Sequence, residues 1–356
     1  MEEREFEILV AVLPPLFGAL EALEFIARHL NPAELASVLE RAMDADAGLR
    51  EARPRLAEWG EPLAALRARL EEVCDHVFVA FDGVRAAPAQ ENYMLALFRA
   101  LRFLPRAEEA LYPLAAILPP VNRFFLDPAL RGNPEIEQSL FDAAPREDAG
   151  LAHIQNEPKT RGGVSFYAPE NYAPERAWPL IVALHGGSGH GRSFLWSWLR
   201  EARGRGAILI APTSVGETWA LMGEDEDTPN LHRIVAFARR TWNIDPARIL
   251  LTGMSDGGTF SLVSGLQEGA PFTHLAPMCG TFHPMLAQMA DPERARGLPI
   301  YLVHGAHDWM FPVTTARAAE RALTAAGARV NYREIADLSH CYPREESAAA
   351  LDWLMR

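Results

Sequence analysis

The chain has 356 residues, 49% of them hydrophobic and 23% charged, with a formal net charge of −13. That length allows two domains and a sizeable core, and the composition is ordinary for a soluble globular protein. The acidic balance excludes a nucleic-acid binder, whose phosphate ligands call for a basic face. Residues 1–150 carry 26 acidic and 15 basic side chains, against 21 and 19 in the remainder. The negative excess therefore belongs mostly to the N-terminal part, where it reads as solvated surface.

The opening residues, Met1 to Glu7, are acidic where a secretory leader would be basic. The apolar run from Ile8 to Leu20 is short for a bilayer and contains Pro14-Pro15. The expectation is thus a chain with no integral membrane segment. Cys74, Cys279 and Cys341 are odd in number and lack C-x-x-C spacing. That pattern points to reduced thiols and a cytoplasmic location.

Residues 1–130 read as an all-α domain. Leu56, Trp59, Leu63, Leu66, Leu70, Val73 and Val77 alternate three- and four-residue steps, which makes one apolar seam along a helix. Pro62 fits a first turn, so Leu56 and Trp59 fall in a preceding helix. Tyr93–Phe103 forms a further helix, ended by Pro105. Such an apolar-rich helical addition must be buried somewhere, as a cap over a pocket or as a homodimer surface. Residues 131–160, rich in proline and charge, are expected to be a linker.

From residue 161 to 356 strand and helix patterns alternate, predicting a mostly parallel sheet with helices on both faces. Strands are expected at Val164–Tyr167, Leu180–Leu184, Ala207–Ala211, Ile249–Thr252, Leu275–Met278, Pro299–His304 and Val330–Ile335. Helices are expected at Arg192–Arg203, Asn230–Thr241, Thr259–Leu266 and Arg344–Leu354.

The chemistry sits at the strand ends. Gly253-Met254-Ser255-Asp256-Gly257 reads G-x-S-x-G between a strand and a helix. That order exposes a serine on a sharp turn, with glycines where side chains would clash. A serine becomes a nucleophile when a histidine takes its proton and a carboxylate orients the histidine. Asp308 follows the next-but-one strand, and His340 follows the strand after that, both at the edge where open α/β sheets place their ligands. Asp337 is the rival acid; His304 and His307 are the rival bases. Oxyanion donors are expected from the N–H of Asp256 and from the glycine loop His185–Gly191, with Gly187 the chosen residue. Loops at Thr213–Thr228 and Gly280–Gly297 overhang the same edge. Trp219, Met222, Phe282 and Met285 are the candidate pocket walls.

Together His185-Gly186-Gly187-Ser188-Gly189-His190-Gly191, Gly253-Met254-Ser255-Asp256-Gly257-Gly258, His304-Gly305-Ala306-His307-Asp308 and Ser339-His340 resemble the phospholipase/carboxylesterase branch of the α/β-hydrolases. The resemblance runs from about Val164 to the C-terminus and implies a Ser255–Asp308–His340 triad that hydrolyses esters or thioesters without a cofactor. The compact members lack the helical domain. The expected substrate is a small-molecule or lipid-like ester, with short to medium acyl chains.

Three rivals compete on local grounds. Gly186–Ser193 is one residue from a phosphate-binding loop, but Arg192 stands where the lysine belongs. His304, His307, Asp308 and His340 are a zinc-like set of residue types. An inert hydrolase fold carrying a partner-binding helical domain is the third.

Overall fold

The computed structural model describes residues 3–221, 223–282 and 291–356. Two compact units divide the chain, residues 1–125 and 126–356. The first is helical. Its opening helix, Glu3–Arg28, runs 26 residues straight through Pro14 and Pro15. An 18-residue window within it has a mean hydropathy of 1.8, enough to cross a membrane by length and composition alone. That corrects the expectation of a run too short to do so. Within the unit, Leu9, Val12, Leu16, Leu20 and Leu23 of this helix are buried.

The heptad-like stripe divides at Pro62. Leu56 and Trp59 belong to and follow a 3-10 segment, Arg53–Glu58, and the long helix is Ala64–Ala86, burying Leu70, Val73 and Val77. Pro105 does not end a helix but lies in the first turn of the next, Phe103–Leu111, where its missing N–H costs nothing. Asp46 is fully buried yet receives Arg50 at 2.7 Å and also Arg85. Burial pushes its carboxyl up, but those two guanidinium groups outweigh burial and leave its pKa below the usual value.

The second unit is built on an eight-stranded sheet: β1 (Gly150–Ile154), β2 (Val164–Ala168), β3 (Trp178–Leu184), β4 (Ile208–Pro212), β5 (Ile244–Met254), β6 (His274–Met278), β7 (Pro299–Gly305) and β8 (Arg329–Ile335). Their spatial order is β1-β2-β4-β3-β5-β6-β7-β8. β2 runs antiparallel to β1 and to β4, and every other pairing is parallel. β3 and β4 are buried along their whole length, as strands covered on both faces must be. This is the α/β-hydrolase fold, preceded by the all-α unit.

Register fixes which strand ends meet. Leu184 of β3 pairs with Gly253 of β5, and Met254 pairs with Met278 of β6. The residues that follow therefore emerge level with one another. Because the order reverses around β3, the loops after β3 and β5 diverge and open a crevice at this edge.

Residues 131–160 are not a bare linker. They contain a helix, Pro134–Phe141, and β1, the edge strand of the sheet. β1 escaped the sequence pattern because its residues are half-buried or exposed, leaving little apolar alternation to read. Just beyond it, buried Asn156 donates to Ser165 Oγ at 2.8 Å and accepts from Thr213 Oγ1 at 2.7 Å. Thr213 Oγ1 in turn accepts from the Gly191 N–H at 2.9 Å. Replacing Asn156 with alanine leaves buried hydroxyls without their partner. The expected loss is about 1–3 kcal/mol of unfolding free energy by urea titration, and a neutral result would show that this hydrogen-bond relay does not stabilise the fold.

Candidate active site

Ser255 is the single residue between β5 and the helix Asp256–Gly265, and its φ is +56° with ψ −117°. A non-glycine residue there is strained and holds only when its surroundings over-determine it. They do. The Ser255 N–H donates to Met278 O at 3.0 Å, and its carbonyl accepts from the Thr259 N–H at 2.9 Å. A Cβ on Gly257 would stand 2.4 Å from His185 O, and one on Gly253 2.5 Å from Gly257 O. Both glycines are therefore required by close backbone approach rather than by local flexibility.

His340 stands between the other two triad candidates. Its Nε2 lies 2.9 Å from Ser255 Oγ and its Nδ1 2.8 Å from Asp308 Oδ2. A carboxylate only accepts, so Nδ1 carries the proton and the Nε2 lone pair receives the Ser255 hydroxyl. Asp308 is held by its other oxygen, which accepts the N–H groups of Met310 at 2.9 Å and Phe311 at 2.7 Å. All three residues are buried.

The rival residues take other places. Asp337 is exposed, and Asp308 is the carboxylate bonded to His340. His304 Nε2 donates to Phe311 O at 2.8 Å, and burial lowers its pKa. It is a neutral brace under the Asp308 turn. His307 is exposed.

The loop after β3 packs on the serine turn. A Cβ on Gly186 would lie 3.6 Å from the Ser255 Cβ, and one on Gly187 only 2.7 Å from Asp256 Oδ2. Asp256 opens the helix after the serine, so its N–H belongs to the first turn, where helical amides lack intrahelical partners. Its carboxylate accepts from Thr218 Oγ1 at 2.6 Å. Of the expected oxyanion donors, Asp256 directly follows Ser255, and Gly187 lies against the Asp256 carboxylate. A loop folded onto the serine in this way also leaves the phosphate-loop likeness of residues 186–193 without support.

Beneath the loop lies His185, buried on β3's end. Its Nδ1 is 2.7 Å from Gly186 O, and its Nε2 accepts the Ser214 N–H at 3.1 Å. One nitrogen must donate and the other accept, which fixes the neutral tautomer. Burial lowers its pKa to about 3.

The proposed pocket walls fare differently. Trp219 is only 2% exposed. Its indole N–H donates to His185 O at 2.7 Å, and its ring stacks on Phe260 at 5.5 Å. It packs under the glycine loop and also lines a cleft with residues 215–220. Phe282, 4% exposed, is part of the hydrophobic core. For Phe282 this is a correction: an aromatic on a loop of the right edge looks the same in sequence whether it turns inward or out. Met222 and Met285 lie outside the described residues. Sequence reasoning passed over Trp309 and Met310, which are 44% and 47% exposed and follow Asp308 directly. The Trp309 ring stands edge-on to His340, 6.3 Å between centroids. Its position next to the triad acid was the available signal.

A sheet of this order, with a serine on the turn after β5 and a triad candidate at its edge, has the α/β-hydrolase architecture. Residues 224–355, which hold Ser255, Asp308 and His340 but not the 185–191 loop, match the phospholipase/carboxylesterase family. A curated relative, a bifunctional acetylxylan esterase/xylanase from Neocallimastix patriciarum, is 28% identical over 149 residues, 41% of this chain. The chain spans about a fifth of that relative's length, since the match covers 21% of it. Among solved structures, a thermostable esterase is similar with 22% identity and a TM-score of 0.45, over 59% of this chain and 62% of the other. SOBER1 of Arabidopsis thaliana is similar with 20% identity and a TM-score of 0.43, over 51% of this chain and 99% of its own.

His185 yields a pH prediction. Its folded pKa is depressed, to about 3 from 6.5, so the unfolded chain binds its proton more readily. Its contribution to stability is intact above pH 6.5 and is lost as pH falls toward 3, by up to about 1.4 kcal/mol per unit. His185→Gln should flatten that part of the stability–pH slope, measured by denaturant titration between neutral and acid pH. An unchanged slope would show that His185 is not the group being titrated.

Proposed function

We propose that the protein is a serine carboxylesterase that turns over small-molecule or lipid-like esters through an acyl-enzyme on Ser255. The supporting observation is the unbroken chain Ser255 Oγ–His340–Asp308, at 2.9 and 2.8 Å, on a strained turn. His340 Nε2 takes the hydroxyl proton as Oγ bonds to the ester carbonyl carbon, and Asp308 keeps Nδ1 protonated and stabilises the imidazolium. In this reading the N–H groups of Asp256 and Gly187 receive the charge that develops on the carbonyl oxygen. As the tetrahedral intermediate collapses, the C–O bond to the alcohol breaks and His340 delivers its proton to the departing oxygen. A water then gives a proton to His340 as it attacks the acyl carbon, the bond from that carbon to Ser255 Oγ breaks, His340 returns the proton to Oγ, and the acid leaves.

Ser255→Ala should abolish turnover of p-nitrophenyl esters while leaving the thermal unfolding of the chain close to wild type. A fluorophosphonate probe should label the wild type and not the variant. Ester hydrolysis that survives the substitution would refute this reading, and a wild type that neither reacts nor hydrolyses would favour an inert scaffold.

The alcohol leaves past His340 Nε2, so the exposed face beside that ring belongs to the leaving group. Trp309 stands beside it, and an exposed tryptophan favours a flat or ring-bearing alcohol. Trp309→Ala should lower kcat/KM on aryl-alcohol esters by roughly three- to tenfold, the value of one aromatic contact. Methyl esters of the same acid should be little affected. Equal losses on both would remove Trp309 from leaving-group selection.

A further inference from the structure

Arg161 lies in the turn before β2, far in sequence from every catalytic motif, and its guanidinium joins the two loops that border the serine. Its Nη1 donates to Gly189 O in the glycine loop at 2.7 Å. Its Nε donates to Gly216 O at 2.7 Å, and its Nη2 to Glu217 O at 3.0 Å and to Ser214 Oγ. Four of its five N–H groups are thus committed to uncharged acceptors on two loops. The backbone around it repeats the tie: Gly162 N–H donates to Ser214 O at 3.1 Å, and His190 Nε2 lies 3.0 Å from Thr160 O.

The held residues lead straight to the oxyanion side of the site. Gly189 N–H closes a turn onto Gly186 O at 3.0 Å, and Gly186 packs over Ser255. On the other loop, Ser214 N–H sets the His185 tautomer, Thr218 holds the Asp256 carboxylate and Trp219 holds His185 O. Burial lowers the Arg161 pKa, with Asp227 and Glu217 opposing that shift from a distance. No carboxylate is among the four acceptors of its guanidinium. A lysine could not replace this fork, since its donors radiate from one point.

We propose that Arg161 is a positioning residue for the reaction: it clamps the 186–191 loop and the 213–218 loop into one frame, and that frame sets the oxyanion donors at Gly187 and Asp256. Oxyanion donors act on the transition state and not on the bound ester, so a slack frame lowers kcat and leaves KM in place. The proposal rests on ester hydrolysis through Ser255.

The test compares the full-length wild type with Arg161→Ala and Arg161→Lys on one p-nitrophenyl ester. Removing a single oxyanion donor costs roughly 10²–10³ in turnover, which sets an upper bound for slackening the loop that carries it. The expected loss for Arg161→Ala is about ten- to a hundredfold in kcat, with KM within about twofold. Affinity for a trifluoromethyl ketone, whose adduct carries an oxyanion, should fall in parallel with kcat/KM. Free guanidinium at millimolar concentration should restore part of the Arg161→Ala rate and none of the wild-type rate. Arg161→Lys should stay well below wild type. If Arg161→Ala does not fold, Arg161→Lys alone decides, through the same kcat, KM and ketone measurements. A folded variant with unchanged kcat and ketone affinity overturns the proposal, as does a rise in KM at constant kcat. An inert wild type overturns the esterase reading itself, and this proposal falls with it.

Discussion

Everything at this site depends on one strained residue. Ser255 can hold a φ of +56° only because β5 enters the turn paired on both sides and the helix leaves it at once. Strain of this kind costs on the order of 1–3 kcal/mol and must be met by the surrounding fold. The sheet meets it, through the bond from Ser255 N–H to Met278 O and through glycines that let β3's end press against the turn. In return, the hydroxyl points out of the sheet edge rather than along the strand, within reach of a histidine three strands of sequence away.

Around that point the molecule separates two tasks. One side, from β7 and β8, supplies the proton path through Asp308 and His340, each held by backbone N–H groups or by the other. The opposite side, from β3 and β4, carries no proton. It is a set of hydrogen bonds that hold the loops still: the fixed tautomer of His185, the indole of Trp219, and the buried carboxyl of Asp227, which accepts the N–H groups of Val215 at 2.8 Å and Ala220 at 2.9 Å. Burial raises the Asp227 pKa and lowers that of His185. Both shifts mark groups used for geometry, where water cannot replace the bond.

The parts legible in sequence were those with a local signature. Seven of the strands were visible, most of them as apolar runs bounded by turn residues and β8 by its partial alternation, and the serine turn because its glycines have no alternative. β1 was not legible: as an edge strand its burial is partial, and its pairing with β2, not its own pattern, makes it a strand. Pro105 misled for a related reason, since a proline that ends one helix in sequence fits equally in the first turn of the next. Trp219 and Trp309 show the same limit at the site. Both stand on loops at the active edge, and only packing turned the first under the glycine loop and the second out beside His340.

What the sequence determined by itself was the order of parts: a helical stretch, a mostly parallel sheet, and serine, aspartate and histidine after strands of that sheet in that chain order. Such order follows from period and turn chemistry, which act over a few residues. The tertiary structure decided which acid faces His340, which aromatic meets solvent, and what holds the glycine loop. Those answers come from residues far apart in the chain. Arg161 and Gly216 are separated by 55 residues, and Ser255 and His340 by 85. Hydrogen bonds across such distances leave no periodic trace, because they depend on where the sheet's register brings its ends together.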